Sequence, residues 1–551
     1  MILPGAALAT GFLLFSLCAA GQGTRPSSPA AKFNISGVVV QHQTNQPLKR
    51  ARVTIMQNDH PDRQASLMTA EDGHFTFTGV PQGKYTLMAE SHGEQRTFQQ
   101  DDFFSTGTVT GPALDSEHIV FPFLAPTSLS VKVIDEEGEP VRGVQVLLFN
   151  KRVSAGWSHI ELAGQNSTGP EGSSRFAHLE PGTYYAAASG RPWYAQDPVA
   201  NAPGEDAEAA AELDVAYPIT YYAATQNPEA AAPIRLAEGD KTQLQITLRA
   251  VPAMKISVDG ISGNPDPAHG GQIMSVLEAI GPGGIRFPAM ASSYESDGER
   301  QMRGVAPGNY VVSVSQFGAG PRGHQSLGSA RVTASAEAHV NASELTRTTV
   351  SGHVVMEGRA EGADLAIRLV QPANGVNVFC PVGRDGSFRC SMRGQQGAGI
   401  TPGLYQVRLA RSEELYAKSI AVKGAAYASG LLDIREGTTA DLSIVAAKGS
   451  TKLNGIALAA GRPFSGAMVL LVPQDSGSDG GIPRDQSDSD GTFTLPDVHP
   501  GKYLLVAIDH GHDFEYHNGK VLQPYLAGAQ SVEIPLTHDD LVRVNVQQRQ
   551  P

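Results

Sequence analysis

One pattern of residues occurs five times along this chain, and it limits the possible folds more than any other feature. Each copy has a polar turn, usually Asp-Gly, an alternating strand, a Pro-Gly turn and a tyrosine that begins another strand. The five tyrosines are separated by 99, 126, 95 and 98 residues and are Tyr85, Tyr184, Tyr310, Tyr405 and Tyr503. Each copy therefore has about the length of one β-sandwich domain.

The spacing inside the pattern is also kept. Four copies place an acidic residue 13 positions before the tyrosine, whereas the copy with Asp385 and Tyr405 has 20 positions. The glycine of the turn supplies the positive φ that a tight hairpin needs, and alternation such as Phe75 and Phe77 directs one face into a core. A tyrosine at each strand start predicts a buried ring whose hydroxyl bonds the backbone across a corner. These residues are interpreted as fold residues and not as catalytic ones.

A second pattern opens each copy, with a strand, a polar turn that usually contains proline, and small residues leading into another strand. Together the two patterns predict an all-β protein of about five tandem antiparallel β-sandwich modules with an Ig-like fold. The strongest helical segment is 204–214, which predicts a loop or one short helix. The predicted boundaries are a signal peptide at 1–20, a linker at 21–32, and modules at 33–125, 126–250 with an insertion, 251–346, which is divergent, 347–447 and 448–551.

Charge and hydropathy limit the partners and the compartment. The net charge of −13 argues against nucleic acid, because nothing in the sequence would neutralise a phosphate backbone. Residues 2–20 are apolar and uncharged, which predicts a cleaved export signal and a mature chain with no membrane span. We therefore expect a periplasmic, cell-surface or extracellular protein. Lipidation of Cys18 is disfavoured, because Leu17 precedes it where a lipoprotein signal has a small residue.

Two cysteines remain in the mature chain, Cys380 and Cys390. They are equidistant from Asp385, the centre of an expected turn, so they would face each other across a hairpin within reach of a disulfide. Export makes oxidation plausible, and two isolated cysteines are poor evidence for a zinc site. The sequence therefore predicts a disulfide.

The two patterns together resemble the carboxypeptidase regulatory-like domain, a small β-sandwich also described as a transthyretin-like or carbohydrate-binding-like fold. The resemblance is carried by residues 138–146, 72–85 and 490–503 and extends over most of the mature chain. It implies exported bacterial proteins built from such modules in tandem. It also implies accessory parts, since metallocarboxypeptidases append this module to a separate zinc domain of mixed α/β fold.

No catalytic motif stands out in the sequence. It contains no Gly-x-Ser-x-Gly elbow, no P-loop and no dinucleotide-binding glycine pattern after a strand. We therefore expect no enzymatic activity and no cofactor, and an unrecognised hydrolase is the least favoured alternative.

Aromatic residues of the second copy are the best indication of a binding surface, because such rings stack on sugar faces. The candidates for carbohydrate binding are Trp157, Trp193, Tyr194, Tyr221 and Tyr222. The alternative is that these rings fill an enlarged core.

Two loops of the fifth copy contain groups that could bind cations. His510 and His512 are two positions apart and would share a strand face with Asp513 nearby, a spacing that can chelate a divalent metal but is the less favoured interpretation of this segment. The alternative is a solvated connecting loop. Asp485, Asp488 and the neighbouring carboxylates could attract calcium but lack the ordered spacing of an EF-hand, so a flexible acidic turn is favoured.

The sequence therefore predicts an exported, non-catalytic scaffold that binds or spaces something, with a polysaccharide or a cell-envelope protein as partner. Short proline-containing linkers such as 124–128 and 250–253 predict an elongated rod. The alternative is a protein-interaction module that works by contacts at a sheet edge.

Overall fold

The computed structural model describes residues 31–101, 104–196, 212–261, 272–296, 299–317, 324–357, 365–372, 376–390, 400–410, 415–428, 430–449, 451–474, 481–511, 513–535 and 541–550. The predicted signal peptide and Cys18 lie outside these residues, as does most of segment 204–214. The described chain forms five consecutive β-sandwiches, which confirms the predicted fold class.

The first sandwich has two facing sheets. Its strands are β1 (Lys32–Gln41), β2 (Arg52–Gln57), β3 (His60–Met68), β4 (His74–Pro81), β5 (Gly83–Ser91), β6 (Glu94–Thr97), β7 (Gln100–Asp101), β8 (Phe104–Ser105), β9 (Thr108–Thr110) and β10 (Ile119–Phe123). One sheet has the order β10-β1-β4 and the other β3-β2-β5-β6, with β9 also paired to β5 and a small β7-β8 hairpin beside them. Phe75, Leu87 and Phe121 are buried between the sheets.

The second sandwich carries the longest strands of the first half of the chain. Its strands are β11 (Thr127–Ile134), β12 (Gln145–Ser154), β13 (Trp157–Ser167), β14 (Ser173–Leu179), β15 (Gly182–Gly190), β16 (Val215–Tyr221), β17 (Ile234–Leu236), β18 (Lys241–Thr247) and β19 (Val251–Pro252). Its sheets have the orders β14-β11-β18 and β13-β12-β15-β16-β19, with β17 paired to β15.

The third sandwich consists of two four-stranded sheets. Its strands are β20 (Met254–Asp259), β21 (Gln272–Ile280), β22 (Arg286–Pro288), β23 (Ser292–Ser296), β24 (Glu299–Val305), β25 (Gly308–Phe317), β26 (His324–Ala334) and β27 (Ala338–Asn341). The orders are β23-β24-β20-β27 and β22-β21-β25-β26. Its core is continuous with that of the second sandwich, where Phe149 contacts Phe287 at a ring-centroid distance of 5.5 Å.

The fourth sandwich pairs a four-stranded sheet with a five-stranded one. Its strands are β28 (Thr349–Met356), β29 (Ala366–Val370), β30 (Asn377–Pro381), β31 (Ser387–Arg389), β32 (Gly403–Ala410), β33 (Leu415–Lys423), β34 (Ala426–Ala428), β35 (Leu431–Ile434) and β36 (Thr439–Lys448). The orders are β31-β28-β36-β33 and β30-β29-β32-β35-β34.

The fifth sandwich differs because its last strand joins both sheets. Its strands are β37 (Thr451–Ala459), β38 (Arg462–Pro463), β39 (Met468–Pro473), β40 (Arg484–Gln486), β41 (Thr492–Val498), β42 (Gly501–Ile508), β43 (Gln530–Ile534) and β44 (Val542–Gln547). The order is β38-β37-β44-β42-β39-β40, with β41 paired to β37 and β43 paired to β42. Helix α1 (Gly519–Leu526) begins after Asn518, whose side chain caps it by accepting a hydrogen bond from the Lys520 N–H at 3.2 Å.

The first strand of each sandwich forms a parallel pair with a strand near the end of that sandwich, and β42 also pairs with β44 in parallel. The antiparallel prediction did not include these pairs. The pairs of the first strands are β1 with β10, β11 with β18, β20 with β27, β28 with β36, and β37 with β44. In the first and fourth sandwiches a glycine lies at the closest approach. A Cβ on Gly37 would lie 2.1 Å from the Ile119 carbonyl oxygen, and one on Gly352 would lie 2.1 Å from the Leu442 carbonyl oxygen. These glycines are needed because no side chain fits there.

The turn glycines of the repeat also accept hydrogen bonds from the first strand of their sandwich. Gly73 and Gly491 have φ of 73° and 79°, in the left-handed region that favours glycine. The Gly73 carbonyl accepts a hydrogen bond from the Val39 N–H at 2.9 Å, and the Gly491 carbonyl accepts one from the Ala457 N–H at 2.8 Å. Each turn is thereby fastened to the first strand of its own sandwich.

The predicted tyrosine anchor is present in all five sandwiches. Each hydroxyl donates to the carbonyl oxygen four residues earlier, at distances of 2.7 to 3.0 Å. Burial raises the pKa of Tyr184 to about 12 and also raises the pKa of Tyr310 and Tyr405, so these hydroxyls stay protonated. The tyrosines therefore hold the fold, as the repeat predicts.

Replacement of Tyr310 by phenylalanine should destabilise the third sandwich by about 1 to 3 kcal/mol, because the buried Ala306 carbonyl loses its donor at 2.8 Å. Hydrogen–deuterium exchange of the full chain would show faster exchange in β24 and β25. Tyr85→Phe is the matched control, because the bond to the Pro81 carbonyl is only part-buried and the loss should be smaller. Equal effects of both substitutions would contradict the burial argument.

The chain closes on itself, so the predicted elongated rod is wrong. The first sandwich contacts the second through Arg96 and Glu180 at 3.1 Å, and it contacts the fifth through Thr106, whose hydroxyl donates to the Ser487 carbonyl at 3.3 Å. Arg286 of the third sandwich lies 3.3 Å from Glu436 of the fourth. Polar groups at the ends of the sheets therefore join modules that the linkers alone would leave extended.

No helix in the described part of the chain is long and apolar enough to cross a membrane.

Candidate functional site: a cleft between four sandwiches

A cleft of about 580 Å³ lies where the first, second, fourth and fifth sandwiches meet. The fourth sandwich lines it from β29, β32 and β33, the fifth from β40 and the loop before α1, the first through Phe104 and the second through Ala155. Because β29 and β32 are neighbours in one sheet, alternate side chains of both strands point into the same space. The cleft thus depends on closure of the chain.

Three arginines give the cleft its charge. Arg368 on β29 lies directly opposite Arg408 on β32 in the strand register, and Arg484 comes from β40 of the fifth sandwich. Asp497 is the one carboxylate among the residues described as lining the cleft. Arg368 and Arg408 are both exposed residues.

Aromatic and amide side chains complete the lining. Tyr416 stacks on His499 with ring centroids 4.4 Å apart, and the Arg484 guanidinium lies over the Phe104 ring at 4.8 Å from its centroid. Burial lowers the pKa of His499 to about 4, and it does the same for His517. Both imidazoles are therefore neutral at pH 7 and add no positive charge.

The structure separates the five aromatic residues predicted to bind carbohydrate. Tyr221 is 1% exposed and packs in the core shared by the second and third sandwiches, so its assignment to a binding surface is corrected to a core role. Tyr222 packs partly buried against the core of the second sandwich. Trp157 stacks on His517 of the fifth sandwich, with ring centroids 4.2 Å apart and an interplanar angle of 12°. Three of the five rings thus serve packing or contact between sandwiches.

Trp193 and Tyr194 remain as an exposed pair. Trp193 is 87% exposed, and the two rings meet edge to face with centroids 5.8 Å apart. Trp157 pairs with Ser154 at the end of β12. Trp193 follows β15, and the end of β15 lies beside the start of β12. Ten strand residues separate the two ends by about 30 Å, so the tryptophans do not form one platform.

With this geometry in place, the chain can be compared with known proteins. The model of the carboxypeptidase regulatory-like domain family matches residues 34–110, which contain β1 to β9. This segment is similar to the carboxypeptidase regulatory-like domain. No curated protein matches the chain.

Several solved structures resemble the tandem arrangement at low similarity. The minor pilin GBS52 of Streptococcus agalactiae is 14% identical, with 40% of this chain and 96% of the pilin covered and a TM-score of 0.22. The major pilin subunit BcpA of Bacillus cereus is 10% identical, with 77% and 99% covered and a TM-score of 0.14. Two B repeat units of the collagen-binding protein of Staphylococcus aureus are 10% identical, with 87% and 94% covered and a TM-score of 0.14. At such TM-scores the likeness carries no information about function.

The first sandwich makes a buried polar contact with the fifth sandwich. Asp488 is 4% exposed; its Oδ1 accepts a hydrogen bond from the Gly107 N–H at 2.9 Å, and its Oδ2 lies 2.7 Å from Lys84 Nζ. The Ser489 N–H donates to the Gly107 carbonyl at 2.9 Å. The segment interpreted as a flexible acidic turn is therefore, at Asp488, a contact between sandwiches.

Two of the three residues predicted to bind a metal, His510 and Asp513, lie in the described part of the chain. His510 has φ of 53° and an exposed side chain, and Asp513 is paired with Arg549. His512 lies outside the described residues. Asp513 therefore already has a cation partner, and the predicted metal site, which needs His512, stays a prediction.

A different group in the third sandwich has its ligand atoms close together. One potential ligand atom from each of Asp259, Glu299 and His339 lies within 4.8 Å of the others, on the adjacent strands β20, β24 and β27. His339 is 3.3 Å from Asp259, and Lys255 is paired with the nearby Glu337. The group therefore lies in a polar network that also contains the Lys255–Glu337 ion pair.

Cys380 and Cys390 form a disulfide with their Cα atoms 4.3 Å apart. Both residues are buried in the core of the fourth sandwich. Cys380 belongs to β30 and Cys390 follows β31, and these strands lie in opposite sheets. The disulfide therefore connects the two sheets and not the two strands of one ladder, which differs from the arrangement expected from the sequence.

Proposed function

We propose that this chain is an exported, non-catalytic scaffold of tandem β-sandwiches that binds a saccharide in the cleft between its first, second, fourth and fifth sandwiches. The cleft carries the proposal, because it is concave and combines aromatic rings with amide and guanidinium groups. Such rings stack on the apolar faces of sugars, and the polar groups bond their hydroxyls. Export is supported by the apolar segment 2–20 and by the disulfide, which needs an oxidising compartment.

A glycan array and a polysaccharide pull-down with the mature chain test this function. Tyr416→Ala removes a ring that lines the cleft, whereas Trp193→Ala removes the exposed ring outside it. Binding that is lost in Tyr416→Ala and kept in Trp193→Ala would support the cleft. The reverse result would move the site to the exposed pair, and an absence of binding to any glycan would overturn the saccharide proposal.

A protein partner is the second candidate, and one strand favours it. β3 lies at the edge of its sheet, and its residues are exposed over nearly the whole length, with Met68 at 55%. Such an edge offers backbone groups to an added strand. Crosslinking in the envelope, repeated with Gln64→Pro to remove an edge N–H, would test it, because loss of the crosslinked partner is expected only if β3 pairs with that partner.

A further inference from the structure

The two facing arginines of the cleft are an arrangement that folding alone does not explain. Arg368 and Arg408 occupy directly paired positions on β29 and β32. Like charges opposite each other on neighbouring strands destabilise a sheet. A pair of this kind is expected where a function needs the charge.

The surrounding protein does not neutralise these charges. Arg408 donates a hydrogen bond to the Gln406 side-chain oxygen at 2.8 Å, which is a neutral acceptor. Within the described part of the chain, neither Arg368 nor Arg408 has a carboxylate at salt-bridge distance, and Asp497 acts on Arg408 only from farther away. Two like charges on neighbouring strands without a close counter-charge repel each other, and an anion in the cleft would remove that repulsion.

The third arginine extends the same surface. Arg484 is 7% exposed and is held over the Phe104 ring, so its guanidinium is fixed before any ligand arrives. Three arginines against the one carboxylate of Asp497 make the described lining positive, although the whole chain has a net charge of −13. The positive charge of the cleft is therefore local.

We propose that the cleft selects acidic saccharides, whose carboxylate or sulfate groups bind Arg368 and Arg408 while a sugar ring stacks on Tyr416. This inference rests on the proposed saccharide function and specifies its ligand class. The planar guanidinium fork matches a carboxylate with two parallel hydrogen bonds, which a lysine does not reproduce. Neutral glycans would use only the rings and amides and would bind more weakly.

Binding of the mature chain to polygalacturonate, to its fully methyl-esterified form and to dextran sulfate tests the selectivity. Polygalacturonate should bind about tenfold or more tightly than the neutral ester, and Arg408→Gln should remove most of that difference. Arg408→Lys should recover only part of it. Arg462→Gln is the matched control, because Arg462 is exposed on β38 and does not line the cleft.

The outcomes separate this inference from the function on which it rests. Equal binding of polygalacturonate and its ester, unchanged by Arg408→Gln, would overturn the acidic selectivity and leave saccharide binding intact. An absence of binding to all three polymers would overturn both. Equal losses in Arg408→Gln and Arg462→Gln would show unspecific attraction and also reject the proposal. Arginine-dependent binding of dextran sulfate would support it and identify sulfate as a second source of the charge.

The thermal stability of Arg408→Gln without ligand shows whether this variant keeps the fold. Arg408→Gln removes the repulsion between Arg408 and Arg368 on the neighbouring strand, so the thermal stability of the variant should equal or exceed that of the parent chain. A markedly less stable variant would show that Arg408 supports the fold and would overturn the argument from uncompensated charge.

Discussion

Replacement of Asp488 by alanine is expected to open the contact between the first and the fifth sandwich. The substitution removes the carboxylate that accepts from the Gly107 N–H at 2.9 Å and pairs with Lys84 at 2.7 Å. Because the contact is largely buried, water does not fully replace this acceptor. An unsatisfied buried donor costs about 1 to 3 kcal/mol. Small-angle X-ray scattering should therefore show a larger radius of gyration, and residues 104–110 should exchange hydrogen faster.

The same contact should weaken as the pH rises. Burial is the main cause that raises the pKa of Asp488 to about 6, although Lys84 opposes the shift, and the neighbouring Asp485 adds a smaller upward contribution. In the open chain this carboxyl returns towards its ordinary value of 3.8. The closed form therefore binds the proton more tightly, so closure is most stable below about pH 4 and loses stability as the pH rises through 6.

Asp488→Asn is the matched variant for both effects. Its amide oxygen can still accept from the Gly107 N–H, but its side chain does not titrate. We expect this variant to stay closed and to lose the dependence on pH between 4 and 6. An opening equal to that of Asp488→Ala, or an unchanged pH dependence in Asp488→Asn, would contradict the assignment of the closure to this carboxyl.

The sequence predicts what is local and periodic in this protein. The five tyrosine anchors and the alternating strands follow from short-range patterns, because each sandwich repeats the same turns and the same burial. The parallel pairs do not follow from short-range patterns, since the two strands of each pair are distant in sequence. The alternation of residues in a strand also does not indicate which way the strand runs relative to its neighbour. Gly37 and Gly352 are the residues that could have indicated the close approach.

The cleft was beyond prediction for a related reason. Arg368 and Arg408 are exposed residues on two strands whose register is set only by folding, and Arg484 comes from another sandwich. Aromatic clustering in the sequence was misleading, because Tyr221 ends β16 inside the core shared by the second and third sandwiches, whereas Tyr222 lies in the next turn and packs against the core of the second sandwich. Sites formed between modules depend on how those modules dock, and the repeat pattern does not specify docking.

Substitution of Gly352 by alanine should produce the largest loss of stability. The added Cβ would lie 2.1 Å from the Leu442 carbonyl oxygen and 2.7 Å from the Phe388 ring, so β28 and β36 could not keep their spacing. Overpacking in a close-packed core costs about 1 to 3 kcal/mol, and a backbone oxygen has less freedom to move than a side chain. Calorimetry should show the fourth sandwich unfolding at a lower temperature, and hydrogen exchange should accelerate in both strands.

Gly519→Ala provides the control for this experiment, because a Cβ there meets nothing within 4 Å and the residue begins helix α1. Its effect on stability should stay within about 0.5 kcal/mol, since surface substitutions of this kind are usually that small. The disulfide between Cys380 and Cys390 confines the damage, because it still connects the two sheets of the fourth sandwich when the parallel pair is strained. Reduction of the disulfide should therefore destabilise Gly352→Ala more than the parent chain, and an equal effect on both would show that the parallel pair and the disulfide stabilise the sandwich independently.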